Sequence, residues 1–320
     1  MKLPLLLLLT SAIACNGQNN KLSMNSNNPL LCDVQTGLCE MPGNEQKTPV
    51  SPKPVRIIYF TDPICSSCWG IEPALRRLKL EYGEVVEIEY HMGGLLPSWD
   101  VYNSGNISKP SDVAHHWDEV SLHYDMPIDG DVWLEDPLPS SYPPSVAFKA
   151  AQLQDGQKAI QFLRRIREMV FLEKKNITKW EHLEHAAKQV GLNVEQFKAD
   201  YEGRAQTLFQ EDLNLARSLN VRSFPTLIFS DAEEQKLVLK GVRPYEHFEQ
   251  TLLALFPQAM KNVYDNRPEV LFQHYPTLTT REFEVLAGVS KEQAKKTLQQ
   301  MQEKGMLKVY HTKNGALWIR

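Results

Sequence analysis

Hydrophobic and polar positions change period several times along the chain. Residues 3–14 form a mainly apolar run behind one lysine, Lys2. Residues 18–53 are rich in Asn, Pro, Ser and Gly and sustain no period, which predicts a flexible tether. At residues 55–60 a run of β-branched and aromatic side chains predicts a buried strand. Ile71, Ala74, Leu75 and Leu78 then recur at three- and four-residue spacing, a helix that Gly83 ends. Val85, Glu87 and Glu89 alternate with Val86, Ile88 and Tyr90, a second strand. From about 111 to 220 the period is helical. One stripe joins Ile160, Leu163, Ile166 and Val170; a second joins Leu183, Ala186, Ala187 and Val190 and closes at Gly191; a third runs from Leu208 through Leu213 and Ala216 to Leu219. Strand character returns at 226–229 and 237–239 across a short loop, and a last amphipathic helix carries Phe248, Leu252 and Leu255.

Strand, helix, strand, a helical block, two strands and a helix is the order of a thioredoxin fold with a helical domain set into its middle. The predicted fold class is therefore α/β, with this unit spanning 55–262 and its insertion about 100–220. Beyond Pro257 the pattern changes. Thr279/Thr280 with Glu282 or Glu284 can cap a helix that Gly288 ends. Ser290 with Gln293 caps another, ended by Gly305, and Asn314-Gly315 predicts a hairpin between two short strands. Helix, turn, helix, hairpin over 267–320 reads as a small winged-helix-like domain. The 320 residues suit two domains, and 42% apolar with 23% charged residues predicts a packed core.

Five cysteines carry the candidate chemistry. Residues 1–14 have the layout of a secretory signal, and Ala12-Ile13-Ala14-Cys15 resembles a bacterial lipoprotein signal, which implies a lipid on Cys15, a membrane anchor and a location in the cell envelope, outside the cytoplasm. The plainer alternative is a cleaved signal with Cys15 incidental. Cys32 and Cys39 read either as a local staple in the tether (residues 15–54) or as a second redox pair. Cys65-Ser66-Ser67-Cys68 lies where the first strand yields to a helix, so the Cys65 sulfur sits at a helix N-terminus whose free N–H groups favour a thiolate. Cys68 follows one turn later. Ser66 and Ser67 can donate hydrogen bonds but add no fixed charge. Zinc shared with Cys32 and Cys39 is disfavoured by the six residues between those two.

Far downstream, Ser223-Phe224-Pro225-Thr226 opens the third strand. Together with Asp62-Pro63-Ile64-Cys65-Ser66-Ser67-Cys68-Trp69, Glu72-Pro73 and Val221-Arg222, this segment resembles the DsbA family, particularly its FrnE-like branch, over roughly 55–256. The resemblance implies a cis bond before Pro225 facing the dithiol. It implies Cys65 as the sulfur that forms the mixed disulfide and Cys68 as the one that resolves it, with Phe224 and Trp69 lining the substrate groove. The activity it implies is protein thiol–disulfide exchange, in a direction left open by Ser67, which stands where strong oxidants of the family carry histidine. Its partners would be proteins with thiols or disulfides and a redox partner protein. The same segment is also similar to DsbA-fold adapters that deliver a transcription regulator to a cytoplasmic protease, a non-catalytic alternative that gains if the chain starts at Met24.

No cofactor or metal is expected. His115, His116 and His123 near Trp117 read as surface or core residues. Residues 267–320 hold nine Lys/Arg against five Asp/Glu, too mild an excess for nucleic acid, so that domain reads as a protein-interaction module or as cover.

Overall fold

The computed structural model describes residues 31–32, 38–40, 53–102 and 105–320. The signal run and Cys15 lie outside these residues. The central sheet is built on β3 (Val55–Thr61). Its neighbour on one side is β4 (Val86–Met92), parallel; on the other it is β5 (Thr226–Ser230), antiparallel, which in turn pairs with β6 (Lys236–Lys240). Alternation along β3 sends Ile57 and Tyr59 to one face and Ile58 and Phe60 to the other, and the two sets enter separate cores. The parallel β3–β4 step is bridged by α1 (Ser66–Gly70) and α2 (Glu72–Tyr82).

Two short strands, β1 (Leu31–Cys32) and β2 (Leu38–Glu40), extend this sheet beyond β6, giving the order β1-β2-β6-β5-β3-β4. Within the stretch 15–54, residues 31–32 and 38–40 are thus strand: β2 pairs with β6 and β1 with β2, which supplies hydrogen bonds that so short a segment cannot make alone. Cys32 stands directly opposite Cys39 in the β1–β2 register, and Cys39 opposite Val238. Strands β6 and β5 lie between this pair of strands and β3.

The helical block comprises α3 (Pro110–Tyr124), α4 (Val132–Glu135), α5 (Tyr142–Gln154), α6 (Gly156–Phe171), α7 (Trp180–Gln189), α8 (Val194–Glu202) and α9 (Arg204–Ser218). Of the α6 stripe, Leu163, Ile166 and Val170 are buried. Gly191, at φ +71°, ends the turn after α7, a backbone conformation that glycine adopts without the strain a side chain brings. Helix α10 (Tyr245–Leu255) returns to the sheet.

The C-terminal unit holds α11 (Pro268–His274), β7 (Thr277–Thr279), α12 (Thr280–Ala287), α13 (Lys291–Glu303), β8 (Lys308–Thr312) and β9 (Gly315–Ile319) around its own core of Phe272, Phe283, Leu298 and Trp318. The Thr279–Glu282 capping box opens α12, and Ser290 caps α13 through Gln293 N–H. This unit is docked. Arg164 of α6 grips Glu282 with two hydrogen bonds of 2.8 and 3.0 Å, Arg76 of α2 donates to Thr277 O at 2.9 Å, and Lys313 in the β8–β9 turn pairs with Asp118 and Asp131.

Candidate functional site

Strand β3 delivers the chain to Asp62, and the turn Asp62-Pro63-Ile64 aims Cys65 at the start of α1. Cys65 is the N-cap: its sulfur accepts from Cys68 N–H at 3.1 Å. Cys65 and Cys68 are joined as a disulfide with their Cα atoms 5.1 Å apart. Helix α1 is only five residues long because Pro73, second residue of α2, lacks the N–H that a continuous helix would need; the break falls at Ile71. Ser67 Oγ lies 3.0 Å from Tyr124 OH of α3. The Phe224–Pro225 peptide bond is cis, and the Phe224 ring rests on Gly93, where an added Cβ would stand 2.0 Å from a ring carbon.

Cys65, Ser66, Ser67 and Phe224 share a small cavity of about 160 Å³, walled by Trp99, Tyr102, His116, Trp117 and Trp133. Pro225 is buried beside it in sequence. Cys65, which lines this cavity, is 3% exposed, and Cys68 behind it is 0% exposed. Trp69 does not join the cavity, which corrects its placement in a groove. It is fully buried, stacks on Phe171 with ring centres 5.4 Å apart, donates from Nε1 to Pro127 O at 3.1 Å, and lies under the Arg164 guanidinium at 4.3 Å.

Charged groups buried next to the dithiol turn were missed from sequence. Arg167 of α6, 1% exposed, donates to Glu72 at 2.6 Å, to Thr61 Oγ1 at 2.5 Å and to Asp62 O at 3.2 Å, tying the end of β3 and the start of α2 to the helical block. A signal existed: Arg167 falls four residues after Leu163 and three before Val170, an arginine on an apolar stripe. Asp62 is fully buried, and its carboxylate accepts from Ile64 N–H, Leu95 N–H and Ser141 OH. Burial pushes its pKa up to about 6 against the pull of those donors and of Arg167. A carboxyl whose folded pKa exceeds the unfolded value of about 3.9 adds stability below pH 4 that is lost as pH rises through 6. Between pH 4 and 7 the wild-type chain should therefore lose roughly 2–3 kcal/mol relative to Asp62→Asn in urea unfolding; parallel pH curves would contradict this.

Fold and site together define a thioredoxin-fold protein with a capped, buried dithiol. A family model described as thioredoxin matches residues 59–250, and the chain belongs to that family. It is 32% identical over 293 residues to the ClpXP adapter protein SpxH of Halalkalibacterium halodurans, covering 90% of this chain and 96% of that one. It is 29% identical over 271 residues to SpxH of Bacillus subtilis, covering 83% and 89%. Among solved structures it is similar to the cytosolic disulfide reductase DsbM of Pseudomonas aeruginosa, at TM-score 0.51 and 24% identity, covering 62% of this chain and 99% of that one.

These relatives overturn the expectation of a catalytic protein thiol–disulfide oxidoreductase. The proteins matched along nine-tenths of the chain carry an adapter's name, and the likeness to DsbM is one of fold.

Proposed function

We propose that the chain is a non-catalytic adapter that holds a partner protein for degradation by a ClpXP protease. The observation that carries this reading is the extent of the 32% identity: it runs over 293 residues, well past the residues 59–250 of the thioredoxin match. What the chain shares with SpxH proteins is therefore more than the redox fold. The docking of the C-terminal unit on α2 and α6 through Arg164, Arg76 and Glu282 supports it, because three units held as one body offer a partner a single preorganised surface. The thioredoxin fold then serves as scaffold, with the Cys65–Cys68 bridge as a staple beneath it.

The test compares protein half-lives in cells lacking this chain with cells lacking ClpX. The adapter reading predicts at least one protein stabilised several-fold in both, and two non-overlapping sets contradict it. Delivery also requires chain and protease to share a compartment. Fractionation that finds the chain in the cytosol without palmitate supports the adapter; a palmitate-labelled membrane protein supports the lipid anchor at Cys15 and contradicts it.

A further inference from the structure

A second and far larger cavity, about 1010 Å³, opens between α2, α6 and the C-terminal unit. Its size reaches the upper end of the roughly 300–1,000 Å³ typical of small-molecule pockets, room for a stretch of polypeptide. Leu75, Leu163, Ile160, Tyr90 and Tyr275 give it apolar walls.

Five basic side chains with fixed charge border this cleft, and four are already matched. Arg164 pairs with Glu168 and Glu282, Arg165 with Glu168 and Glu173, Arg76 with Glu282, and Arg167 with Glu72. Lys79 is the exception. Its ammonium donates to Tyr90 OH at 2.8 Å and sits 5.0 Å from the Tyr90 ring centre. No carboxylate of the described residues forms an ion pair with it. A second spare donor lies close by: the buried Nε of Arg167 has no hydrogen-bond acceptor among the described residues. Of the acidic lining residues, Glu72, Glu168 and Glu173 are spent in the pairs above, Asp265 is paired with Arg267, and Glu84 is exposed.

We propose that this cleft is a docking site for a segment of the delivered protein that bears a carboxylate beside apolar side chains, the carboxylate pairing with Lys79. The proposal rests on the adapter reading for its occupant. Its chemistry stands on the cleft: a half-buried cation without a counter-charge, in apolar walls, gains most from an anion that brings hydrocarbon with it. Because α2, α6 and β7 all contribute, the site exists only while the C-terminal unit is docked.

Fluorescence anisotropy on the full chain tests this with two labelled five-residue peptides, one alternating leucine with glutamate and its twin with glutamine in place of glutamate. The glutamate peptide should bind at least about tenfold more tightly. Lys79→Met should erase that difference and Lys79→Arg should keep it, both with an unchanged melting temperature. Equal binding of the twins to the wild-type chain, or a preference that survives Lys79→Met, overturns the site. If the peptide preference depends on Lys79 but Lys79→Met delivers a ClpXP substrate at the wild-type rate, the assignment of the partner to this cleft is overturned and the adapter reading stands. If the wild-type chain delivers nothing while the Lys79-dependent preference holds, the adapter reading fails and the acidic-peptide site remains.

Discussion

Glu282→Ala is expected to destabilise the chain by about 3–5 kcal/mol, the range for removing one partner of a buried ion pair. Glu282 is fully buried and receives the Arg164 fork, Arg76 Nε at 3.3 Å and Thr279 N–H at 2.7 Å. Burial by itself would raise its pKa, yet Arg164, Arg76 and the Thr279 N–H hold the carboxyl below its ordinary value. Its contribution is thus present at neutral pH and is lost as pH falls through that lowered value. Without the carboxylate, two guanidiniums face each other across the junction and α12 loses half of its capping box. Urea unfolding measures the loss, and limited proteolysis should show new cleavage between α10 and α11 as the C-terminal unit detaches. A loss under about 1 kcal/mol, the value of an exposed pair, would show that this cluster does not hold the unit in place.

Trp69→Ala is expected to cost a similar 3–5 kcal/mol, as large-to-small changes at fully buried aromatics do. The indole fills the space against Phe171, its N–H satisfies Pro127 O, and its face supports Arg164. Removing it leaves a cavity and an orphaned carbonyl, and it frees the arginine that grips Glu282. The double variant with Glu282→Ala should fall short of the sum of the two single losses, because both changes act through Arg164. Denaturant midpoints read this directly. A Trp69→Ala chain of near wild-type stability would restore Trp69 to a groove wall.

Much of the frame was legible because it depends on local pattern. The alternation around Val86 and Tyr90, the stripe through Leu163 and Ile166, and the caps at Thr279 and Ser290 all appear where the residue spacing puts them. Strands β1 and β2 were not legible, since two and three residues carry no period and gain their hydrogen bonds from each other and, for β2, from β6. The same holds for β7, three residues held by β9. At the site, Cys65, Cys68, Phe224 and Pro225 could be named from their motifs. Trp69 could not be placed from adjacency to Cys68, because one residue along a helix turns the side chain about 100°, here toward the helical block. The aromatic walls beside Cys65 come from Trp99, Tyr102, His116 and Trp117. Those residues lie 31 or more positions from Cys68, and no local motif announces them. Two families sharing one dithiol segment therefore look alike in that segment, and the full-length relatives separate them.

Reconstituted proteolysis bears most directly on the adapter reading. Purified ClpXP should degrade a protein stabilised in cells lacking this chain at least tenfold faster when the full chain is added, and equally fast with a Cys65→Ser/Cys68→Ser chain. No acceleration by either, or acceleration only when both sulfurs are present, would contradict a non-catalytic scaffold.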